Sequence, residues 1–167
     1  MNVWLTGSAL IFCILSGSVM ADEHVVPNPK LTPGHALPNL TQAEVCAPDF
    51  GKKLPVISEE LQKKVFAAYG LPHGNRTGYC LSADGCAIDR LIPSSLGGTN
   101  DLKNLWVLPY ADPAWNVKAK TALEEKLHSL VCSGDLSLNE AQSVIATDWI
   151  SAYQNLIGEP PDAAANP

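Results

Sequence analysis

The segment CAIDRLIPSSLGGTNDLKNLWVLP, Cys86 to Pro109, contains a predicted strand, a loop and a second short apolar run. It begins with the run Cys86–Ile92, which is apolar except for Asp89 and Arg90, and ends with the short apolar run Leu105–Leu108; the stretch 93–104 between them is polar and rich in glycine. Short apolar runs bounded by turn residues are typical of strands. The first run also follows Asp84-Gly85, which predicts a hairpin with the strand Tyr79–Leu81. We therefore expect a strand, a long loop and a second short apolar run.

Three helices are predicted around this segment. Each begins after a capping residue, and these are Ser58, Asp112 and Ser137. The first ends at Gly70, the second at about Val131 and the third before Gly158. The third has the clearest signal, because Ser137-Leu138-Asn139-Glu140 fits a capping box. The fold class is thus predicted to be α+β, a small core with flanking helices.

The first 21 residues are predicted to be a signal peptide. Leu5–Val19 is apolar and uncharged, and Val19-Met20-Ala21 supplies the small residues that a signal peptidase recognises. A run of about 15 apolar residues is short for a membrane span. We expect an exported protein, periplasmic or secreted, with no stable membrane span. An uncleaved anchor helix is the alternative, since no Lys or Arg precedes the run.

Composition divides the remaining chain into three parts. Residues 22–57 are rich in proline and predict an extended N-terminal arm, residues 58–158 form the domain, and residues 159–167 form a disordered tail. The 167-residue chain has a net charge of -6. Nucleic-acid binders usually carry a basic face, so this charge argues against tight binding of DNA.

Four cysteines remain after signal cleavage: Cys46, Cys80, Cys86 and Cys132. An even number in an oxidising compartment predicts two disulfides out of three possible pairings. Cys80 and Cys86 flank a turn-like segment and are expected to pair, which leaves Cys46 with Cys132. A zinc site built from the four is the alternative, although the C-x-x-C spacing is absent.

Polar residues lie where the predicted elements meet. Asp89 stands at the end of a strand, Asn104 closes the loop, and Asn116 lies near a helix start. A hard cation such as Mg²⁺ needs few protein ligands, all of them oxygens. Asp89 and the Asn116 amide oxygen are therefore candidate metal ligands.

These motifs resemble the exported bacterial branch of the HNH endonuclease family, which has a ββα-metal fold. The resemblance lies in AIDRLIP from Ala87, LGGTND from Leu96, KNLW from Lys103 and Trp115-Asn116. Further matches, at Leu31-Thr32-Pro33-Gly34 and at Ala146-Thr147-Asp148-Trp149-Ile150, extend it over nearly the whole mature chain. It implies cleavage of nucleic acid, DNA or RNA, with Mg²⁺ or Mn²⁺.

The resemblance also implies roles for particular residues. Asp89 and Asn116 would be the metal ligands, and Asn104 would organise the loop that aims the catalytic base. The family has a histidine as that base, and here the position is Arg90. A guanidinium stays protonated and cannot accept a proton, and loss of a positioned base costs typically about 10²–10⁴-fold in rate. His73, in the loop before the hairpin, is the candidate substitute.

Two functions follow as expectations. The first is an exported HNH-like endonuclease whose activity is weakened or lost because Arg90 replaces the base. The second is a non-catalytic exported binding protein that uses the same scaffold, in which Arg90 contacts an anionic ligand or a protein partner.

Overall fold

The computed structural model describes residues 25–51, 55–71, 85–110, 112 and 114–160. In this part of the chain the structure mixes helices with a two-stranded antiparallel sheet. The helices are α1 (Gln42–Val45), α2 (Glu59–Ala68), α3 (Val117–Ser133) and α4 (Leu138–Leu156). The strands are β1 (Cys86–Arg90) and β2 (Leu105–Pro109). The predicted mixture of helix and strand is confirmed at this level.

The sheet pairs the two apolar runs that the sequence singled out. Cys86 lies opposite Pro109 and Arg90 opposite Leu105, and the loop between the strands contains two short 3₁₀ turns, Ser94–Leu96 and Leu102–Asn104. The predicted hairpin partner Tyr79–Leu81 lies outside the described residues. The described partner of β1 is therefore β2, which follows it in the sequence.

Strand β2 is buried on both faces. Because side chains alternate along a strand, Trp106 and Leu108 point into one apolar cluster, with α3 and α4, while Leu105 and Val107 point into another. The second cluster also contains Val65 and Phe66 of α2. The unbroken apolar run of β2 is thus explained by helices on both sides of the sheet.

Helices α3 and α4 pack through residues four apart. The buried positions are Leu123, Leu127 and Val131 in α3, and Ala141, Ile145, Trp149 and Tyr153 in α4. This spacing places one apolar stripe on each helix. The capping box of Ser137 and Glu140 is present, which confirms the predicted start of α4. Asp148 has non-helical backbone angles and kinks α4.

Helix α3 begins later than the sequence predicts. Asn116, not Asp112, is its N-cap, and the Asn116 side-chain oxygen accepts from the amides of Lys118 and Ala119. Asp112 instead accepts from the amides of Ala114 and Trp115. An Asp before Pro gave the stronger local signal, but its carboxylate closes a turn before the helix.

The N-terminal arm is fastened to the loop between the strands. Gly34 donates its amide to Lys103 O, and Ala36 forms an isolated bridge with Gly98. The arm is not extended throughout, because α1 lies within it and is capped by Thr41 and Glu44. The arm therefore forms part of the same packed unit as the strands.

Candidate functional site around Asp89 and Arg90

Asp89 lies on β1 directly opposite Trp106 of β2. Its Oδ2 accepts a hydrogen bond from the Trp106 indole Nε1 at 3.0 Å and lies 3.3 Å from Lys120 Nζ. The Asp89 side chain is 19% exposed. All the side-chain contacts of Asp89 among the described residues fall on Oδ2, so Oδ1 is the oxygen left for a ligand.

Lys120 is a buried cation within α3. Its side chain is 1% exposed, and Nζ donates to the backbone oxygens of Arg90 at 3.0 Å and Leu91 at 3.1 Å. The same nitrogen lies 2.7 Å from Glu124 Oε1, one turn further along α3. Burial lowers the pKa of Lys120, but the carboxylates of Asp89 and Glu124 outweigh that effect and hold the pKa above its usual value. Lys120 is therefore charged when folded.

Glu124 is the second carboxylate of this cluster. Burial raises the pKa of Glu124, and the ammonium of Lys120 only partly opposes that rise. Two carboxylates, Asp89 and Glu124, thus share one buried ammonium with the guanidinium of Arg90 nearby. The formal charges of these four groups cancel.

Arg90 occupies the position of the expected base. Its Nε donates to Asn100 Oδ1 at 2.9 Å, and its NH2 to Pro55 O at 3.4 Å. Asn100 itself donates to Pro55 O at 2.9 Å, which joins the three residues. Burial lowers the pKa of Arg90, an effect that Asp89 and Glu124 oppose, but the ordinary value is so high that the group stays protonated.

Asn104 is fully buried and holds the loop by four hydrogen bonds. Its Oδ1 accepts from the amides of Ile92 and His35, and its Nδ2 donates to Ile92 O and Thr99 O. The amide therefore bridges both ends of the segment 92–99 and the N-terminal arm. Such a bridge fixes the direction in which the loop presents its polar residues.

Asn116 serves α3 as its cap. Its Oδ1 receives two backbone N–H groups at 2.9 and 3.2 Å, which uses both lone pairs of a carbonyl oxygen. Its Nδ2 donates to Asp112 O at 3.0 Å. The oxygen predicted to bind a metal is thus already occupied by the helix.

The donor set does not fit a divalent ion held jointly by Asp89 and Asn116. Oδ2 of Asp89 faces an ammonium, and a second cation beside that ammonium would be repelled. Every buried side-chain nitrogen or oxygen in the described residues has a hydrogen-bond partner. The described residues therefore contain no unpaired buried atom that would indicate a metal site. The metal site remains a prediction that rests on Asp89 Oδ1 alone.

The sequence prediction missed Lys120 and Glu124. Lysines are rarely buried, so a lysine in a helix is ordinarily assigned to the surface. The available signal was position, because Lys120 precedes Leu123 and Leu127 by three and seven residues and so falls on the apolar stripe of α3.

Two of the four predicted disulfide cysteines pair as expected, since Cys46 is bonded to Cys132. Cys86 is also disulfide-bonded, while Cys80 and the candidate base His73 lie outside the described residues. No helix in the described ranges is both long and apolar enough to cross a membrane. Comparison with family models, curated proteins and solved structures found no match to this chain.

Proposed function

We propose that this chain is an exported HNH-like domain that binds nucleic acid weakly through Arg90 and does not hydrolyse it. The observation that carries the proposal is the fixed guanidinium of Arg90, and the resemblance to HNH endonucleases would place the catalytic base at this residue. Arg90 lies at the end of β1, and its guanidinium is held by the Pro55 carbonyl and by Asn100, which follows the loop residue Thr99 that Asn104 binds.

The geometry of Arg90 suits an anionic ligand. Of the five N–H donors of an arginine, Nε–H and one N–H of NH2 are used, and the other three have no partner among the described residues. The remaining hydrogens of NH1 and NH2 form a fork that matches two oxygens of a phosphate. Because the bonds to Asn100 and Pro55 already fix the side chain, little rotamer freedom remains to be lost on binding.

Lys120 supports the same proposal. Its ammonium offsets the charge of Asp89 and Glu124, which would otherwise repel a phosphate approaching Arg90. The net charge of -6 still opposes a polyanion, so we expect weak affinity that falls with salt, roughly 10⁻⁴–10⁻⁶ M, as for non-specific binding.

A fluorescence anisotropy titration tests this function. A fluorescein-labelled single-stranded oligonucleotide is titrated with protein in EDTA, for wild type, Arg90→Ala and Lys126→Ala. Lys126 is an exposed cation on α3 and controls for general loss of charge. We expect Arg90→Ala to weaken binding at least about tenfold, in line with loss of a charge-assisted bidentate contact, while Lys126→Ala binds almost as wild type. Equal affinity of wild type and Arg90→Ala would refute the proposal.

A second candidate function, weak metal-dependent cleavage, is favoured by one observation. Trp106 donates its indole N–H to Oδ2 of Asp89, and a hydrogen bond of this kind commonly orients the carboxylate of a metal ligand. Mg²⁺ often uses one or two carboxylates plus water and substrate phosphates, so Oδ1 alone is a minimal ligand. Plasmid cleavage in Mn²⁺ that stops in both EDTA and Asp89→Asn would establish this function in place of pure binding.

A further inference from the structure

Cys46, His128 and Cys132 form a second cluster of chemically capable side chains, away from Arg90 and independent of the function proposed there. Cys132 and His128 lie one turn apart on α3, and Cys46 is the C-cap residue of α1. The ligand atoms of the three residues all lie within 4.8 Å of one another. In the oxidised protein the two sulfurs are bonded to each other and have no thiolate to offer a metal.

We propose that reduction of this disulfide creates a Zn²⁺ site made of the Cys46 and Cys132 thiolates and the His128 imidazole. The reductant is a dithiol, which gives two electrons and two protons to the disulfide and leaves as its own cyclic disulfide. Zn²⁺ then displaces the two thiol protons and forms two Zn–S bonds and one Zn–N bond.

The spacing of the ligands suits tetrahedral Zn²⁺. Bonds of about 2.3 Å to sulfur and about 2.0–2.1 Å to nitrogen place a thiolate sulfur roughly 3.5 Å from an imidazole nitrogen. Cys132 Sγ and His128 Nε2 are 3.5 Å apart in the structure. The two cysteine Cα atoms lie 5.5 Å apart, so side-chain rotation alone lets the freed sulfurs separate to the roughly 3.8 Å that the same geometry requires.

The ligands stay together without the disulfide. Gln42 of α1 donates its side-chain amide to Val131 O of α3 at 2.7 Å. Val45 is buried in the same apolar cluster as Leu127 and Val131. These contacts hold α1 against α3 when the sulfurs separate, so the Zn²⁺ site is largely formed before the ion arrives.

The reductant and Zn²⁺ can both reach the three ligands. Cys132 is exposed, so an attacking thiolate reaches its sulfur directly, and Cys46 is the leaving group. His128 Nε2 lies 3.0 Å from Val45 O, and binding Zn²⁺ requires this nitrogen to exchange that carbonyl for the ion. Three protein ligands leave the fourth Zn²⁺ position open to water or to a further ligand.

A Co²⁺ titration tests the inference, because thiolate–Co²⁺ charge-transfer absorption reports bound sulfur directly. Protein is reduced with a phosphine, desalted without oxygen and titrated, and affinity for Zn²⁺ is obtained by competition. All proteins in this test begin at Asp22 and so lack Cys13, and a Cys80→Ser/Cys86→Ser variant removes the other two thiols. We expect one Co²⁺ per reduced chain, none per oxidised chain, and unchanged binding in the Cys80→Ser/Cys86→Ser variant.

Two further variants examine the ligands. His128→Gln retains a hydrogen-bonding group near Val45 O, and Cys132→Ser is close to isosteric. We expect each to weaken Zn²⁺ binding by about tenfold or more, since even a supporting partner of a metal ligand is worth that much. The inference fails if reduced wild type gives no thiolate absorption, if His128→Gln binds Zn²⁺ as wild type does, or if reduction abolishes the helical circular dichroism of the protein.

Discussion

Trp106 donates its indole N–H to Asp89 Oδ2 at 3.0 Å, across the register pair that joins the two strands. The bond turns a strand carboxylate toward the ammonium of Lys120, which lies on α3. The sheet and the helix are thereby joined by a buried charge pair. The fully buried Lys120 depends on the carboxylates of Asp89 and Glu124 to remain charged.

Replacing Lys120 by Met tests that dependence. The change leaves Asp89 and Glu124 without the ammonium that compensates them, and loss of one partner of a buried ion pair costs about 3–5 kcal/mol. Urea unfolding followed by circular dichroism measures the free energy of unfolding of each variant. The exposed Lys126→Met is the matched control and should change stability by less than about 0.5 kcal/mol. Equal stabilities of the two variants would contradict the expectation.

The pKa of Lys120 predicts an alkaline limit to its contribution. Burial lowers this pKa, and Asp89 and Glu124 raise it beyond that, so the folded value lies above the ordinary 10.5. The folded state then holds the proton more tightly than the unfolded state. The stabilisation is complete below the unfolded pKa and is lost as the pH rises through the folded pKa.

The stability difference between wild type and Lys120→Met should therefore be constant near pH 9 and shrink above about pH 10.5, the ordinary pKa of the lysine side chain in the unfolded state. Urea unfolding at steps from about pH 9 to 11.5 measures it. Burial also raises the pKa of Tyr69, but that residue is present in both proteins and its contribution cancels. A difference that stays constant over the whole range would show that Lys120 does not titrate as expected.

In the Asn104→Ala variant, the loop at residues 92–99 should open more readily than the rest of the protein. The substitution removes four hydrogen bonds and leaves the buried amide of Ile92 without its acceptor, at a cost of roughly 2–4 kcal/mol. Hydrogen exchange at residues 92–99 measures local opening of the loop, and the melting temperature measures the stability of the whole protein. Asn155→Ala, on the exposed side of α4, is the control. Unchanged exchange at residues 92–99 would mean that Asn104 does not hold the loop.

Strong local signals explain what the sequence did predict. β2 was visible as an apolar run ending at Pro109, and α4 as a capping box followed by apolar residues at helical spacing. The bond between Cys46 and Cys132 was predicted as the remaining pair, because Cys80 and Cys86 flank a turn-like segment and were expected to pair with each other. In each case the local pattern agrees with the packing that the fold needs.

The residues that escaped prediction are those whose roles depend on distant parts of the chain. Asn116 and Asp112 both offer caps locally, and only the direction of the incoming chain decides which one starts α3. Lys120 is buried because two backbone oxygens of residues 90 and 91 and the carboxylate of Asp89 converge on it from another element. The sequence near Lys120 shows its place on the apolar stripe of α3, but not the distant groups that contact it.

Gly98→Ala should be poorly tolerated. A Cβ at this position would lie 1.7 Å from Ile92 O and 2.9 Å from Asn104 Nδ2, so the loop must move to make room. We expect a loss of about 3 kcal/mol or more, the upper range for overpacking. Gly51→Ala is the matched control, because its nearest neighbour would be the Ser95 amide nitrogen at 3.4 Å. Similar melting temperatures for the two variants would contradict this close approach.

Removing the disulfide should lower stability while leaving a folded protein. The bond closes a loop of 86 residues, for which the chain-entropy model predicts a stabilisation of up to about 4.6 kcal/mol. Removal of a native disulfide from a small secreted domain typically costs about 2–5 kcal/mol of stability. Urea unfolding of a Cys46→Ala/Cys132→Ala variant measures the loss. A change of less than about 1 kcal/mol would show that the contact of Gln42 with Val131 O already restrains α1 fully.

The kinked helix α4 also sets the order in which the molecule can fold. Trp149 Nε1 donates to Val25 O at 2.9 Å, and the two residues are 124 positions apart in the chain. Contacts between such distant positions form slowly, because a long loop must close before they contribute any stability. The earliest described residues of the chain are thus among the last to reach their native place. During synthesis, Val25 has to wait for Trp149, which is made 124 positions later.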